Sequence, residues 1–381
     1  MDSSRQQIVI AGAGPTGLAL GAELQRLSHP ALILDKLTAG ENTSRAAVVH
    51  ARTLEVLEPL GVTPEFLQNG LIVPTFRVRD RDRLLATVSF KDLKTAYPFA
   101  LTCPQNRTEA ILLKRLNALG GAVRRPCDVS SIRAADGEVE VQYKCDGEPR
   151  TVRTKWLVGC DGAHSVVREH AQIPFEGGAY EESFLLADVE MNWPLERDEI
   201  DLFFSDKGLM VIAPLPEDRF RVVATVEQPP EHPTIADFES ILRERGPGKG
   251  VGKIRRMVWS SRFHIQHRVA KTLRKDNIFL CGDAAHVHSP AGGQGMNTGI
   301  QDGVSLAAAL HEGTEAALQT WEEKRLKIAR GVLGFTDRLT KVATTSSPIF
   351  QTVRNVAIEI LGDIPFAEHA LAENLSELVN R

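Results

Sequence analysis

The stretch that decides the fold is Q-I-V-I-A-G-A-G-P-T-G-L-A-L-G-A-E-L-Q-R-L-S-H-P-A-L-I-L-D, residues 7–35. Its apolar start, residues 7–11, predicts a short buried strand, and the run after the glycines has helical periodicity. A second apolar strand, residues 32–34, ends on Asp35. The spacing of about twenty residues between the glycines and this acid is typical of a Rossmann βαβ unit. The stretch therefore predicts a dinucleotide-binding fold.

The glycines of this stretch have distinct expected roles, each set by a backbone requirement. Gly12 allows a tight turn, Gly14 lets a pyrophosphate approach the backbone, and Gly17 lets the helix pack against the strand. Asp35 is placed to accept hydrogen bonds from an adenosine ribose. A bare G-x-G-x-x-G is weak evidence, with a chance match as the alternative. The complete order of strand, helix, strand and acid favours dinucleotide binding.

A second glycine-rich stretch, C-G-D-A-A-H-V-H-S-P-A-G-G-Q-G-M-N, occupies residues 281–297. It follows the apolar residues 278–280, which predict a buried strand, and leads into a segment with helical periodicity. Asp283 therefore lies at a strand end, where a carboxylate can bind a hydroxyl or ribityl chain. The glycines let backbone N–H groups approach a flat or anionic ligand near a helix N-terminus. A glycine-rich surface loop is the alternative interpretation.

A third strand end, between these two, carries another acid and another glycine. Residues 156–160, W-L-V-G-C, predict a buried strand that runs into Asp161 and Gly162. Ser165 and Arg168 follow at a helix start and can supply polar groups to a phosphate or to the acid itself. The alternative is a capped helix with an Asp161–Arg168 ion pair.

Together, the three motifs resemble those of the class A FAD-dependent aromatic hydroxylases, monooxygenases of the para-hydroxybenzoate hydroxylase fold. Their order and spacing match along nearly the full chain. S-R-A-A-V-V-H-A-R-T-L-E at 44–55 and C-P-Q-N-R-T-E-A-I-L-L at 103–113 resemble the family segments that bring an Arg and a Gln to the flavin. The resemblance is to a short form that lacks the C-terminal thioredoxin-like domain of larger relatives. Asp35 departs from the family pattern, which more often has Glu at this position.

The resemblance implies an α/β fold with a Rossmann-like FAD-binding domain of the GR2 type, an interleaved mixed β-sheet substrate domain and C-terminal helices. The FAD-binding domain is expected to comprise 1–75, 98–175 and 270–335. Period-two alternation in the remaining stretches, 76–97 and 176–269, predicts the strands of the substrate sheet that roofs the flavin. The tail, 336–381, is expected to be helical and to pack on the cofactor domain; a dimer face or a membrane-surface helix are the alternatives.

The resemblance also implies residue roles. Asp35 would bind the adenosine ribose, Asp283 would hold the ribityl chain, and the loop 290–297 would line the isoalloxazine ring. Asp161 and Arg168 would serve both FAD and NAD(P)H. The expected cofactor-binding residues are Gly12, Gly14, Pro15, Thr16, Gly17, Asp35, Lys36, Arg45, Gln105, Asp161, Arg168, Gly282, Asp283, Pro290, Gly293, Gln294, Gly295, Met296 and Asn297. No catalytic side chain is certain, and the pocket candidates are His50, Tyr97, Phe204, Met210 and Pro290.

The implied reaction is hydroxylation of a phenolic or polyketide-like aromatic small molecule. NADPH or NADH would reduce FAD, and the reduced flavin would add O2 to give a C4a-hydroperoxide that transfers oxygen to the ring. Another flavoenzyme on the same scaffold, such as an epoxidase or a reductase, is the first alternative. A non-catalytic protein that binds FAD and a ligand is the second.

The composition indicates which classes of partner and which cellular compartment to expect. Over 381 residues the formal net charge is −4, which does not favour nucleic acid. The five cysteines form no C-x-x-C and are expected to be reduced thiols in a cytoplasmic protein. No metal is expected, because no Cys or carboxylate cluster accompanies His286 and His288, which are interpreted as structural residues of their loop. No signal peptide or integral membrane segment is apparent in the sequence, and a monomer or homodimer is expected.

Overall fold

A computed structural model describes residues 4–40, 46–135, 137–205, 207–248, 253–290, 292–344, 354–358 and 364–381. Arg45 lies outside these residues. The strands are β1 Ser4–Ala11, β2 Ala31–Leu34, β3 Val48–Val49, β4 Leu71–Val73, β5 Thr75–Asp80, β6 Arg83–Ser89, β7 Ala100–Thr102, β8 Val123–Arg124, β9 Cys127–Ala135, β10 Glu138–Cys145, β11 Glu148–Gly159, β12 Phe175–Met191, β13 Glu199–Ser205, β14 Gly208–Leu215, β15 Arg219–Val226, β16 Ile254–Ala270, β17 Arg274–Lys275, β18 Ile278–Leu280 and β19 His286–Val287. The α-helices are α1 Pro15–Arg26, α2 Ala51–Leu57, α3 Thr63–Asn69, α4 Gln105–Ala118, α5 Val166–His170, α6 Ile235–Arg245, α7 Gly295–Glu312, α8 Glu315–Thr344 and α9 Pro365–Leu375.

The first sheet brings the three sequence motifs together. Its strand order is β17-β18-β11-β1-β2-β8, with β10 and β9 joined to β11 on a side branch. Strands β18, β11, β1 and β2 run parallel. Ala11 is in register with Gly159, and Gly159 is in register with Leu280. Because parallel strands end at the same edge of a sheet, the turns that follow these three residues lie side by side.

The second sheet, called here the roof sheet, has the order β19-β16-β12-β15-β14-β13-β5-β6. It is mixed, because β5 and β13 are parallel while the other neighbours are antiparallel. Side chains alternate between its faces, as a pleated strand requires. Phe204 and Val211 are on the face toward a large cavity, whereas Phe203 and Met210 are on the opposite face and pack with Phe238 of α6.

A small third sheet, β3-β7-β4, and the C-terminal helices complete the described fold. Helix α9 packs against β6 of the roof sheet, and the short 3-10 turn that follows it contacts α2. The tail therefore contacts the predicted cofactor layer and also the roof sheet. Among the described residues, no helix is long and apolar enough to cross a bilayer. The division into domains at the predicted boundaries stays a prediction.

The expectation of five reduced thiols is wrong for one pair. Cys127 and Cys145 form a disulfide, with their Cα atoms 4.3 Å apart. They are cross-strand partners in the β9–β10 hairpin, whose register shifts at a bulge between Gln142 and Tyr143. Sequence spacing does not reveal such a register, so the pairing could not be predicted. The other three cysteines, Cys103, Cys160 and Cys281, are free.

Candidate functional site

One cavity of about 1110 Å³ lies between the first sheet and the roof sheet. Its polar end is lined by the turns that follow β1, β11 and β18, which include Gly14, Asp161 and Asp283. Its other end is apolar and is lined by the roof sheet and by α9. The same cavity is therefore lined both by the predicted cofactor residues and by apolar residues of the roof sheet.

The G-x-G-x-x-G turn at 12–17 uses its three glycines differently. Gly12 has a φ of +98°, and a Cβ there would overlap the carbonyl oxygen of Cys160. A Cβ on Gly17 would overlap the carbonyl oxygen of Gly12, so Gly17 serves packing and does not line the cavity. Gly14 faces open space within the cavity, where a Cβ would meet no atom within 4 Å. Helix α1 begins beside it at Pro15 without a side-chain cap, so the first N–H groups after Pro15, which itself has none, are available to an anionic pyrophosphate.

Asp35 is fixed at the cavity wall by the backbone. Its Oδ2 accepts a hydrogen bond from the Ala13 amide at 2.6 Å, and its Oδ1 accepts one from the Leu37 amide at 2.9 Å. The Arg125 guanidinium lies 3.8 Å away. Each carboxylate oxygen keeps a further lone pair, which suits the paired hydroxyls of a ribose. Lys36 lines the same end of the cavity.

Gln105 lies at the start of α4 on the cavity wall. Its Oε1 accepts a hydrogen bond from the Ala46 amide at 3.3 Å, and its Nε2 donates to Glu109 at 2.9 Å. Burial raises the pKa of Glu109, although the Gln105 hydrogen bond opposes this. Glu109 also lines the cavity, one helical turn after Gln105 on the same face of α4, and was not predicted from the sequence.

The D-G turn after β11 agrees in part with each interpretation of the sequence: Ser165 bonds to Asp161 and also caps α5, but Asp161 and Arg168 form no ion pair among the described contacts. Asp161 accepts hydrogen bonds from the Ser165 hydroxyl at 2.5 Å and from the Val167 amide at 3.1 Å. Burial raises the pKa of Asp161, and these hydrogen bonds oppose the rise. Arg168 does not bond to Asp161; its guanidinium donates to backbone carbonyls and lies 3.8 Å above the Phe175 ring.

The carbonyl partners of Arg168 define its role. They are Ala163 in the D-G turn, at 2.8 Å, and Ala284 in the G-D turn, at 2.9 Å. Arg168 therefore ties the two turns together and is not among the residues that line the cavity. These contacts favour a positioning role for Arg168, and its direct contact with FAD or NAD(P)H stays a prediction.

We expect Arg168→Ala to weaken FAD binding about tenfold, because two turns that face the cofactor lose their shared donor. Arg168→Lys should recover little, since one ammonium does not reproduce a fork that reaches two carbonyls. Fluorescence titration of FAD into the apoprotein measures the change. An unaltered FAD dissociation constant in both variants would count against this role.

The G-D turn presents its carboxylate to the cavity. Asp283 lines the cavity and is exposed within it. Gly282 has a φ of +61°, and a Cβ there would lie 2.6 Å from Thr16 Oγ1. Gly282 therefore lets the G-D turn pack against the first motif and does not itself line the cavity.

Residues 290 and 292–297, called here the flavin loop, run into helix α7, which begins at Gly295. Pro290, Gly293 and Gln294 line the cavity, as do Gly295 and Met296. Gly292 and Gly293 have φ values of +82° and +65°, which residues other than glycine rarely adopt. Helix α7 has no side-chain cap at its N-terminus, so its first amides and its dipole favour a negative charge at this end.

Asn297 and His50 hold the flavin loop from behind. The Asn297 side chain donates to the carbonyls of Val48 and Gly293 at 2.8 and 2.9 Å and accepts from the His50 amide at 2.9 Å. His50 Nε2 lies 2.8 Å from the Gly292 carbonyl. Burial lowers the pKa of His50 to about 4, so the ring is neutral at pH 7. Asn297 supports the loop without lining the cavity, whereas His50 lines it.

A buried ionic cluster under the G-D turn was missed from the sequence. Asp302 on α7 accepts hydrogen bonds from the Gly282 amide at 3.0 Å, His286 Nε2 at 2.7 Å and Arg325 Nε at 2.6 Å. Burial alone would raise the pKa of Asp302, but Arg325 and His286 outweigh it and hold the pKa below its ordinary value. His286 thus has a structural partner. The sequence feature that could have indicated this cluster is Asp302 itself, an acid among the small and apolar residues of the predicted helix.

The pocket candidates divide into two groups. His50, Phe204 and Pro290 line the cavity. Tyr97 does not, because its hydroxyl donates to Glu58 at 2.7 Å outside the cavity. Met210 does not either, since its cross-strand partner is Phe203 on the far face of the roof sheet. Strand alternation alone separates Met210 from its neighbours Leu209 and Val211.

The apolar end of the cavity contains one buried cation that sequence reasoning missed. Arg221 on β15 lines the cavity and is 3% exposed. Its Nε and Nη2 donate to the two oxygens of Asp188 at 2.7 and 2.8 Å, and Trp259 donates to the same carboxylate at 3.1 Å. The paired charges leave this wall without net charge. Its other roof-sheet members are mostly apolar, among them Phe76, Val78, Phe184, Leu186, Leu202, Phe204, Val211, Val223 and Phe263.

The C-terminal end carries a buried acid that contacts α7. Glu377 is fully buried and accepts hydrogen bonds from Thr298 and Gln301. Burial raises the pKa of Glu377 to about 8, although Arg325 and these hydrogen bonds oppose the rise. At neutral pH the carboxyl is therefore mostly protonated.

We expect Glu377→Gln to remove part of the pH dependence of stability. Because the folded pKa is about 8 and the ordinary value for a glutamate is 4.5, the folded state binds the extra proton between these pH values. Stability is therefore lost as pH rises through this window, by up to about 1.4 kcal/mol per pH unit. Urea midpoints at pH 5 and pH 8 should differ less in Glu377→Gln than in the wild type. Equal shifts in the two proteins would contradict the buried neutral carboxyl.

Comparisons with known proteins agree with this geometry. Residues 5–336 match the model of the FAD binding domain family. The chain is 34% identical to 6-methylpretetramide 4-monooxygenase of Streptomyces rimosus over 93% of its own length and 65% of that protein. It is 31% identical to pentachlorophenol 4-monooxygenase of Sphingobium chlorophenolicum, over 87% of this chain and 64% of that protein. It thus spans about two thirds of the length of these two relatives.

Solved structures of monooxygenases have the same fold as this chain. Anhydrotetracycline hydroxylase of Streptomyces rimosus superimposes with a TM-score of 0.82 at 31% identity, covering 98% of this chain and 76% of that one. The p-nitrophenol 4-monooxygenase of Pseudomonas putida reaches a TM-score of 0.90 at 21% identity, covering 99% and 98%. The second likeness shows the fold alone.

The chain belongs to the FAD binding domain family, and the relatives compared above are named as monooxygenases. Its cofactor is FAD. The predicted family, the α/β fold and the cofactor are thereby confirmed. The uncapped starts of α1 and α7 and the carboxylates of Asp35 and Asp283 fit the groups that FAD presents: a pyrophosphate, a flavin ring, a ribose and a ribityl chain.

Proposed function

We propose that this chain uses FAD, NAD(P)H and O2 to hydroxylate an aromatic small molecule of phenolic or polyketide type. The observation that carries the proposal is the single cavity that joins the cofactor residues to an apolar pocket. Its relatives are named for oxygenation of a pretetramide, an anhydrotetracycline and a chlorophenol, which favours an aromatic substrate over an epoxidase or reductase role.

The residues of the chain have separable tasks in this reaction. Asp35 and Asp283 would bind the ribose and the ribityl hydroxyls, and the first amides of α1 would bind the pyrophosphate. When bound, FAD supplies the redox chemistry, with electrons from NAD(P)H and activation of O2. The amides and dipole at the start of α7 would stabilise negative charge at the flavin end. The roof sheet would orient the aromatic ring and exclude water from it.

The decisive experiment measures NADPH and NADH oxidation and O2 uptake by the FAD-loaded protein, with and without a panel of phenols and polyketide-like aromatics. The expected result is faster oxidation with one class of aromatic and a product heavier by one oxygen atom. Bound FAD with no stimulation by any aromatic would favour a non-catalytic protein. Stimulated O2 uptake with an epoxide product would favour the epoxidase alternative.

A further inference from the structure

Helix α9 forms one wall of the cavity at its apolar end. Ala367, Leu371 and Leu375 line the cavity and are spaced four residues apart, so they share one face of the helix. Leu371 and Leu375 pack in one cluster with Phe76 and Ile200, which lie on the roof sheet. Helix α9 therefore meets the sheet that would cover a substrate.

The same helix reaches the flavin loop. Leu375 Cδ2 lies 3.3 Å from the position that a Cβ on Gly292 would occupy. Gln294 Nε2 donates to the Asn374 carbonyl at 2.9 Å. At the other end of the helix, Glu368 accepts a hydrogen bond from the Ser89 amide at 2.9 Å. Because α9 is bonded to the flavin loop and to β6, its cavity face has a fixed position between them.

This wall lies outside the part of the chain that carries the cofactor motifs. The family match ends at residue 336, and α9 begins at Pro365. The contacts of α9 with the flavin loop described above are made by Leu375 and Asn374, so the size of Leu371 can change without removing them. Leu375 is 4% exposed and belongs to the core, whereas Leu371 is only half-buried and lines the open cavity.

We propose that Leu371 is a specificity-determining residue that sets the size of the aromatic ring system the cavity accepts. The inference rests on the proposed function only in taking the ligand to be aromatic. A smaller side chain at 371 leaves room for a larger ring system, and a larger side chain removes room. In apolar pockets a change of this size alters discrimination by roughly tenfold or more.

The test compares dissociation constants of 2-naphthol, 2-hydroxyanthracene and anhydrotetracycline, which contain two, three and four rings. The FAD-loaded protein is used without NAD(P)H, so that no turnover occurs, and binding is followed by the change in flavin absorbance. The variants are Leu371→Ala and Leu371→Trp. The matched control is Leu378→Ala, which removes the same volume from the same cluster at a residue that does not line the cavity.

The ratio of the two-ring to the four-ring dissociation constant should be about tenfold higher in Leu371→Ala than in the wild type. In Leu371→Trp the same ratio should be lower than in the wild type. The control should leave the ratio unchanged, and FAD content should be equal in all four proteins. A ratio constant within twofold in both Leu371 variants, an equal shift in the control, or no binding of any probe to the wild type would overturn the proposal. Size-dependent binding here, together with no stimulation of NADPH or NADH oxidation by any aromatic in the panel assay, would refute the proposed function and leave the role of Leu371 intact.

Discussion

Asp283→Ala should yield a folded protein that purifies without FAD. Asp283 lies in the turn after β18 and faces the cavity, where its carboxylate can accept charge-assisted hydrogen bonds from ribityl hydroxyls. Two such bonds together account for roughly a hundredfold or more in affinity. The measurement is the flavin-to-protein absorbance ratio of the purified variant, followed by fluorescence titration with added FAD.

Two further variants separate binding from folding. Asp283→Asn keeps an acceptor at the same place without the charge, so its loss of affinity should be intermediate. Asp198→Ala removes an exposed carboxylate from a surface loop and should retain wild-type flavin content. All three proteins should give the same far-ultraviolet circular dichroism. A yellow Asp283→Ala protein with wild-type affinity for FAD would refute the role given to Asp283.

The sequence predicted the strand, turn and helix order of the three motifs because the signals for it are local. An apolar strand, a glycine-rich turn and an acid at fixed spacing occur within about thirty residues, and each part has a direct backbone reason. The structure adds that Ala11, Gly159 and Leu280 are in register, which is why three separate motifs form one site. Gly17 has the packing role predicted for it, against the Gly12 carbonyl, whereas the packing of Gly282 against Thr16 was not predicted.

Contacts between distant segments could not be predicted in this way. Nothing in the spacing of residues indicates that Arg168 donates to Ala284, or that Cys127 and Cys145 are cross-strand partners. Each depends on the packing of whole elements against one another. The misplacement of Met210 has a similar cause, because a one-residue difference along a strand changes the face on which a side chain lies.

Asp302 on α7 accepts hydrogen bonds from the turn after β18, from β19 and from α8. Asp302→Ala should lower the free energy of unfolding by about 3–5 kcal/mol, because it leaves the buried Arg325 without its carboxylate. The Gly282 amide and His286 lose an acceptor at the same time. Urea denaturation at pH 7 and at a fixed FAD concentration measures the change.

The coupling between Asp302 and Arg325 gives the sharper test. If the two side chains stabilise the fold as a pair, the double variant Asp302→Ala with Arg325→Met should lose less stability than the sum of the single variants. Glu315→Ala, which removes the exposed partner of Arg274, should change little. Additive losses would mean that Arg325 acts mainly through its bond to the Thr298 carbonyl. A less-than-additive loss accompanied by weaker FAD binding would show that the cluster positions the G-D turn. The link is Gly282, whose amide donates to Asp302 and which directly precedes Asp283.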